Sequence, residues 1–185
     1  YGSLYSIDNE SMRINWFINL NQSLDLNPSN LFLGHPIINE NESIIVSSNQ
    51  FTYIVNKLNG SIKYKKNFST QIKPIMLNNY LFLITKNNLL IAMDIQKGEI
   101  IYSTDINQSV AEYLNIKKKK VKFKNLMISN NKILIFLENS YVIKFSIMGN
   151  IEQVYKLPTK INSFPIFINS SMVFLNKKNK VSIID

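Results

Sequence analysis

The sequence predicts an all-β protein, and three observations carry that prediction. The first is a repeat. Residues 89–102 read as an apolar strand ending on Asp94, a tight turn closed by Gly98, and a second strand carrying Tyr102, so glycine falls at +4 and the aromatic at +8 from the Asp. An Asp carboxylate hydrogen-bonds the backbone of its own turn, and Gly supplies the positive φ that closes it. Asn56, Gly60 and Tyr64 keep both offsets, Asp8 and Trp16 keep the aromatic with Met12 in the glycine's place, and Gly149 marks a fourth copy with Phe145 and Gln153 at the Asp and aromatic positions. The second observation is a proline on a fixed offset. Pro36, Pro74 and Pro165 each lie 20 residues before the Asp position (Asn56, Asp94 and Asp185), each opens a Pro-Ile stretch, and Asn125 holds that place in the fourth copy. Proline suits the first residue of a strand, where no ladder donor is needed. The third is a series of strand-length apolar runs punctuated by Asn, Lys and Gly, with no long segment of sustained helical period.

Each full copy then holds four short strands, in the clearest case over 73–78, 80–85, 89–94 and 99–106. A period of about 40 residues with four strands in each is the mark of a β-propeller built of four-stranded antiparallel blades. The blades predicted are 35–68, 73–106 and 125–157, with partial ones over 2–20 and 162–185 and insertions over 21–34 and 107–124. At 185 residues the chain is long enough to bury a sizeable core and counts as one domain. It is short for a closed ring, and with its start at Tyr1 it is expected to be an arc or fragment of a larger propeller. The end faces of such an arc need cover from further sequence or from a second copy.

The repeat residues also carry a likeness. Leu4-Tyr5-Ser6-Ile7-Asp8 with Trp16, Ile91-Ala92-Met93-Asp94 with Gly98 and Tyr102, and Asn56 with Gly60 and Tyr64 resemble the "Leu-Tyr-Ala-Leu-Asp … Gly … Trp" signature of PQQ-like, WD40-like repeat propellers. The resemblance spans essentially the whole chain and is specific for fold rather than for function. It implies a place among quinoprotein dehydrogenases, propeller lipoproteins of the BamB type in outer-membrane β-barrel assembly, or lumenal stress-sensor domains. The dehydrogenases typically use a catalytic Asp, a calcium shell of Glu, Asn and Asp, a tryptophan under the cofactor and often a vicinal disulfide. Here the single tryptophan, Trp16, is taken by the repeat and there is no cysteine, so no catalytic, cofactor-binding or metal-binding residue is assigned and no cofactor is expected.

Composition narrows the classes further. The net charge of +9 comes from 21 Lys+Arg against 12 Asp+Glu, and Arg13 is the only arginine. Together with abundant Asn, Ile, Phe and Tyr, this reads as an AT-rich coding bias. A nucleic-acid surface favours arginine forks interleaved with stacking aromatics, and no nucleic-acid partner is expected. His35 is the sole histidine and there is no thiol, which removes Cys–His nucleophiles and Cys/His metal sets. The five glycines are dispersed, with no phosphate-cradling loop. No signal peptide, lipidation motif or membrane-spanning run is visible in these residues.

The two insertions attract attention. From an aromatic position to the next proline position is 10 or 12 residues in the short cases (64 to 74, 153 to 165) but 20 and 23 in the long ones (16 to 36, 102 to 125). Both insertions follow an outer strand and precede an inner one, so both are expected on one face of the ring, where repeat proteins commonly bind. In the second, residues 109–116 predict one or two helical turns capped by Ser109, with Glu112 three residues on. Lys117, Lys118, Lys119 and Lys120 follow, then Lys122 and Lys124, with Val121 and Phe123 alternating onto the opposite face. The lysines are either a solvated charge run or a surface for an anionic partner. In the first insertion Leu31, Phe32 and Leu33 form an apolar stretch, either a cover for the propeller or a hydrophobic contact for a partner. Trp16, Tyr64 and Tyr102 are expected to pack neighbouring blades together rather than to stack a ligand.

The expectation is a non-enzymatic propeller scaffold that docks a protein partner, most like a BamB-type component of outer-membrane β-barrel assembly. It would sit in the periplasm, anchored at the outer membrane through a segment outside these residues. Its partner-binding candidates are Leu31, Phe32, Leu33, Tyr113, Leu114, Lys117, Lys118, Lys119 and Lys120. The alternatives are a fragment of a PQQ-dependent dehydrogenase and a lumenal sensor domain that self-associates.

Overall fold

A strand buried on both faces is written as an unbroken apolar run, and a strand with one wet face alternates. Both patterns decide this fold. The structure is a computed structural model that describes residues 2–20, 36–48, 50–168 and 171–184. Leu31, Phe32 and Leu33, with the rest of the first insertion, His35 and Asp185, lie outside the described residues.

Among the described residues the chain is nearly all β, in five antiparallel sheets of sequential hairpins. The first sheet pairs β1 (Ser3–Ile7) with β2 (Ile14–Asn19). The second runs β3 (Ile38–Glu40), β4 (Ser43–Ser47), β5 (Thr52–Asn56) and β6 (Ile62–Lys66). The third runs β7 (Ile75–Leu77), β8 (Tyr80–Ile84), β9 (Leu89–Asp94) and β10 (Glu99–Asp105). After helix α1 (Ile106–Leu114) comes the fourth, β11 (Phe123–Ser129), β12 (Lys132–Leu137), β13 (Tyr141–Ser146) and β14 (Ile151–Lys156). The fifth holds β15 (Ile166–Ile168), β16 (Ser171–Leu175) and β17 (Val181–Ile184). This is the β-propeller class that the sequence predicts.

The central strands are the apolar runs. Leu81, Leu83 and Ile84 on β8, Leu90 and Met93 on β9, and Ile133 and Ile135 on β12 are fully buried. The outer strands β6, β10 and β14 keep no fully buried residue, and their polar side chains face water. Two compact units divide the chain, 1–87 with 93–101 and 88–92 with 102–185, so the boundary runs through the third sheet. In the first unit Leu20, Val46, Tyr53 and Val55 form a core joined by Leu4, Trp16 and Ile18 from the first sheet. Tyr53 is buried and its hydroxyl donates to the Leu20 carbonyl, which removes the cost of an unpaired phenol. In the second unit Leu134, Phe136 and Val142 meet Leu157, Ile161, Met172 and Phe174.

Two local expectations are corrected. The prolines precede their strands instead of opening them: β7 and β15 start one residue after Pro74 and Pro165, and β3 starts two after Pro36. In the fourth sheet, where Asn125 stands in the proline's place, β11 begins earlier, at Phe123, with a register shift between Phe123 and Asn125. Proline has no N–H to give the ladder, whereas Asn125 has one, and the strand extends accordingly. The second correction is that β10 ends at Asp105, and Ile106 already belongs to α1.

Candidate functional site

The repeat residues build a joint between successive sheets. In the turn after β9 the Asp94 Oδ1 accepts from Gln96 N at 2.8 Å and Lys97 N at 3.2 Å, and Gly98 N donates to Asp94 O at 2.9 Å with φ +72°. Asn56 and Gly60 repeat this, with Asn56 Oδ1 accepting from Leu58 N at 2.8 Å. In the fourth sheet Ser146, not Phe145, takes the acceptor's role: Gly149 N donates to Ser146 O at 3.0 Å, and Phe145 is buried in the core. In the first, second and fourth sheets the ladder slips by one residue beside the corresponding turn, between Ser6 and Ile7, Ile54 and Val55, and Lys144 and Phe145. A bulge of this kind re-aims the side chain beside it. The residue paired just before each slip is Trp16, Tyr64 or Gln153.

The rings of Trp16, Tyr64 and Tyr102 each lie against the glycine of the following turn. A Cβ on Gly60 would fall 2.6 Å from Trp16 Cδ2, one on Gly98 2.5 Å from Tyr64 Cδ1, and one on Gly149 2.5 Å from Tyr102 Cε2. Each ring then donates to a carbonyl of that same turn: Trp16 Nε1 to Lys57 O at 3.0 Å, Tyr64 OH to Gln96 O at 2.7 Å, and Tyr102 OH to Ile147 O at 3.0 Å. These rings are committed to packing. Burial pushes the Tyr102 hydroxyl up to about 12.

The other arrangement with chemical capacity surrounds α1. Asp105 caps it, with φ −73° and ψ 105°, and its Oδ1 accepts from Gln108 N at 3.0 Å. Ser109 is therefore not the cap: its hydroxyl donates to Asp105 O at 3.0 Å, one turn inside the helix, and Glu112 Oε1 accepts from the Gln108 side chain. The helix starts early because fully buried Ile106 anchors its first turn, with Ile106 N donating to Asn88 O at 3.1 Å. It ends on Asn115 in the left-handed region (φ 50°, ψ 49°), and Ile116 N closes back on Ala111 O at 2.9 Å.

The lysine run then doubles back and is pinned at three points. Lys118 Nζ meets Asp105 Oδ2 at 2.6 Å, Val121 N donates to Asn107 Oδ1 at 3.2 Å, and Glu138 N donates to Lys122 O at 3.0 Å. The Lys118 ammonium, helped by the Gln108 amide, holds the Asp105 carboxyl below its ordinary value against the opposing effect of burial. Farther along, the Lys124 ammonium donates to the Ile161 carbonyl, and burial together with nearby Lys177 lowers its affinity for a proton.

Strap, helix and fourth sheet enclose a cleft of about 590 Å³. Val110, Ala111 and Leu114 of α1 face Leu137, Tyr141 and Val154 of the sheet across it, and Lys117, Lys119, Lys120 and Lys122 rim it, with Glu138 the one carboxylate in the lining. Of the residues singled out in the sequence, the structure thus brings Leu114, Lys117, Lys119 and Lys120 to one place. Lys118 is diverted to Asp105, and Tyr113 is exposed outside the lining. Leu137, Tyr141 and Val154 were missed, because only the pairing of β12 with β11, of β13 with β14 and the packing of α1 on β14 bring them beneath the insertion. The available signal was the apolar pair Val110 and Leu114, four residues apart on one helix face. Among the described residues no group of three or more His, Cys, Asp or Glu is placed to hold a metal ion, and no helix is long and apolar enough to cross a membrane.

No family model matches the chain, and no curated protein matches it by sequence. Solved structures do match. BamB from Moraxella catarrhalis superposes with a TM-score of 0.73 at 11% identity, over 98% of this chain and 52% of that one. The computationally designed Ika4 protein gives 0.61 at 11% identity, over 83% of this chain and 91% of that one. A protein of unknown function from Bacteroides caccae gives 0.55 at 13% identity, over 100% and 69%. The chain spans about half the length of the BamB structure it matches, and at this identity the likeness is one of fold: a β-propeller similar to that of BamB.

Proposed function

We propose that this chain is a non-enzymatic propeller scaffold that docks a protein partner, in a BamB-like role in outer-membrane β-barrel assembly and facing the periplasm. The observation that carries the reading is the superposition on BamB over 98% of the chain. The make-up of the cleft supports docking over catalysis. Its apolar floor and lysine rim offer contacts, whereas a catalytic pocket is built from convergent acid, base and nucleophile groups.

The test is reconstitution. The protein is co-expressed with the barrel-assembly subunit of the same organism and the mixture is run on size exclusion with light scattering. A stoichiometric complex, together with loss of outer-membrane barrel proteins when the protein is depleted, is the expected result. Separate elution with an unchanged outer membrane on depletion overturns the reading.

A further inference from the structure

We infer that the cleft beside α1 receives an acidic peptide segment carrying apolar side chains, an inference that deepens the docking reading and rests on it. A charge run with no structural role is left loose in solvent. Here the strap is held at Lys118, Val121 and Lys122 by partners on α1's cap, on α1 itself and in the turn after β12. That fastening turns Lys117, Lys119 and Lys120 into a fixed rim and commits Lys118 to Asp105. Beneath the rim lie Val110 and Ala111, both buried, and Leu114, half-exposed at 40%. A volume of about 590 Å³ lies in the range of sites that enclose ligand groups.

The charge of the lining selects the occupant. Four lysines and one glutamate make it strongly cationic, so an occupant with carboxylates gains at the rim what an uncharged one does not. Its floor requires apolar side chains, because half-exposed Leu114 and partly exposed Val154 are stabilised on leaving water only where apolar surface covers them. A polyphosphate chain satisfies the rim and leaves the floor wet. Arginine forks and stacking aromatics, the usual readers of nucleic acid, are missing from the lining, where Tyr141 is the only aromatic. An acidic segment with interspersed Leu, Val or Phe satisfies both parts at once.

The probe is a short fluorescein-labelled peptide of alternating glutamate and leucine, read by anisotropy. Combined Lys117→Ala, Lys119→Ala and Lys120→Ala should weaken binding about tenfold and flatten its salt dependence. Leu114→Ser should weaken it about fivefold through lost apolar cover. Lys118→Ala removes one of the three fastenings and no rim charge, so it should weaken binding measurably but by less than the triple variant. All of these are surface positions, and circular dichroism verifies that each variant keeps its fold. Equal binding of a glutamate–serine peptide overturns the inference, as does tighter, Leu114-independent binding of phosphatidylglycerol vesicles or of a single-stranded oligonucleotide. If the triple variant loses the peptide and still forms the barrel-assembly complex, the cleft stands and the docking reading loses this site. If every variant binds the peptide as the parent does, the cleft inference fails whatever the complex does.

Discussion

At Gly98 two constraints meet in one residue: a backbone φ of +72° and a Tyr64 ring 2.5 Å from where a Cβ would stand. Either alone disfavours a side chain, and together they make Gly98→Ala costly, at about 2 kcal/mol of unfolding free energy in urea titration. Tyr64→Phe keeps the ring and removes only the bond to Gln96 O, so its cost should be about 1 kcal/mol. A larger loss from Tyr64→Phe than from Gly98→Ala would mean that the hydrogen bond, not the ring contact, holds the joint. Tyr102 adds a pH dependence whose sign can be worked out. Its hydroxyl is held protonated up to about 12, while an unfolded chain releases that proton near 10. Stability owed to this group is therefore whole below pH about 10 and is lost as pH climbs toward about 12. Denaturation midpoints measured from pH 9 upward should show the parent falling toward Tyr102→Phe; parallel curves would contradict the assignment.

At the scale of the element, α1 depends on its cap. Asp105→Ala should cost about 1 kcal/mol, and Asp105→Asn much less, since Asn caps nearly as well. The carboxyl is held below its ordinary value, so its support is present above the normal carboxylate range and disappears as pH falls through the lowered value. Hydrogen exchange of the α1 amides against pH reports this directly: protection in the parent should fall on acidification toward that of Asp105→Ala. The sequence left this helix half legible. Residues 109–116 signal a helix, but Ser109 with Glu112 imitates a cap, and nothing local says that Ile106 will be buried and set the first turn earlier. The repeat was far more legible, because Asp94, Gly98 and Tyr102 express a turn, a conformation and a contact that neighbouring residues enforce. The floor of the cleft was not, because Tyr141 and Val154 reach it only through pairing between distant strands.

At the scale of the whole molecule, the joints make stability a chain of neighbour terms, as in other repeat architectures. Trp16 on Gly60 and Tyr102 on Gly149 share no residue and lie in different compact units. Gly60→Ala and Gly149→Ala should then add to within about 0.5 kcal/mol in a double-mutant cycle. A coupling well beyond that would show strain passing from one joint to another. The series has its own limits written in side chains. Met12, at φ 54°, occupies the glycine's place in the first turn, and exposed Gln153 occupies the aromatic's place in the fourth sheet.

Because each ring reaches forward to the next turn, the natural module for exchange is not the sheet. It is the interval from an aromatic to the following glycine: 16 to 60, 64 to 98, 102 to 149. A recombination cut through the loop between two sheets splits such an interval and pairs a ring with a foreign turn. A cut inside the hairpin, between Gly60 and Tyr64 or between Gly98 and Tyr102, leaves every ring with its own glycine. Chimeras with other propellers of this type should therefore fold when spliced at the hairpin and fail when spliced where the sheets visibly end.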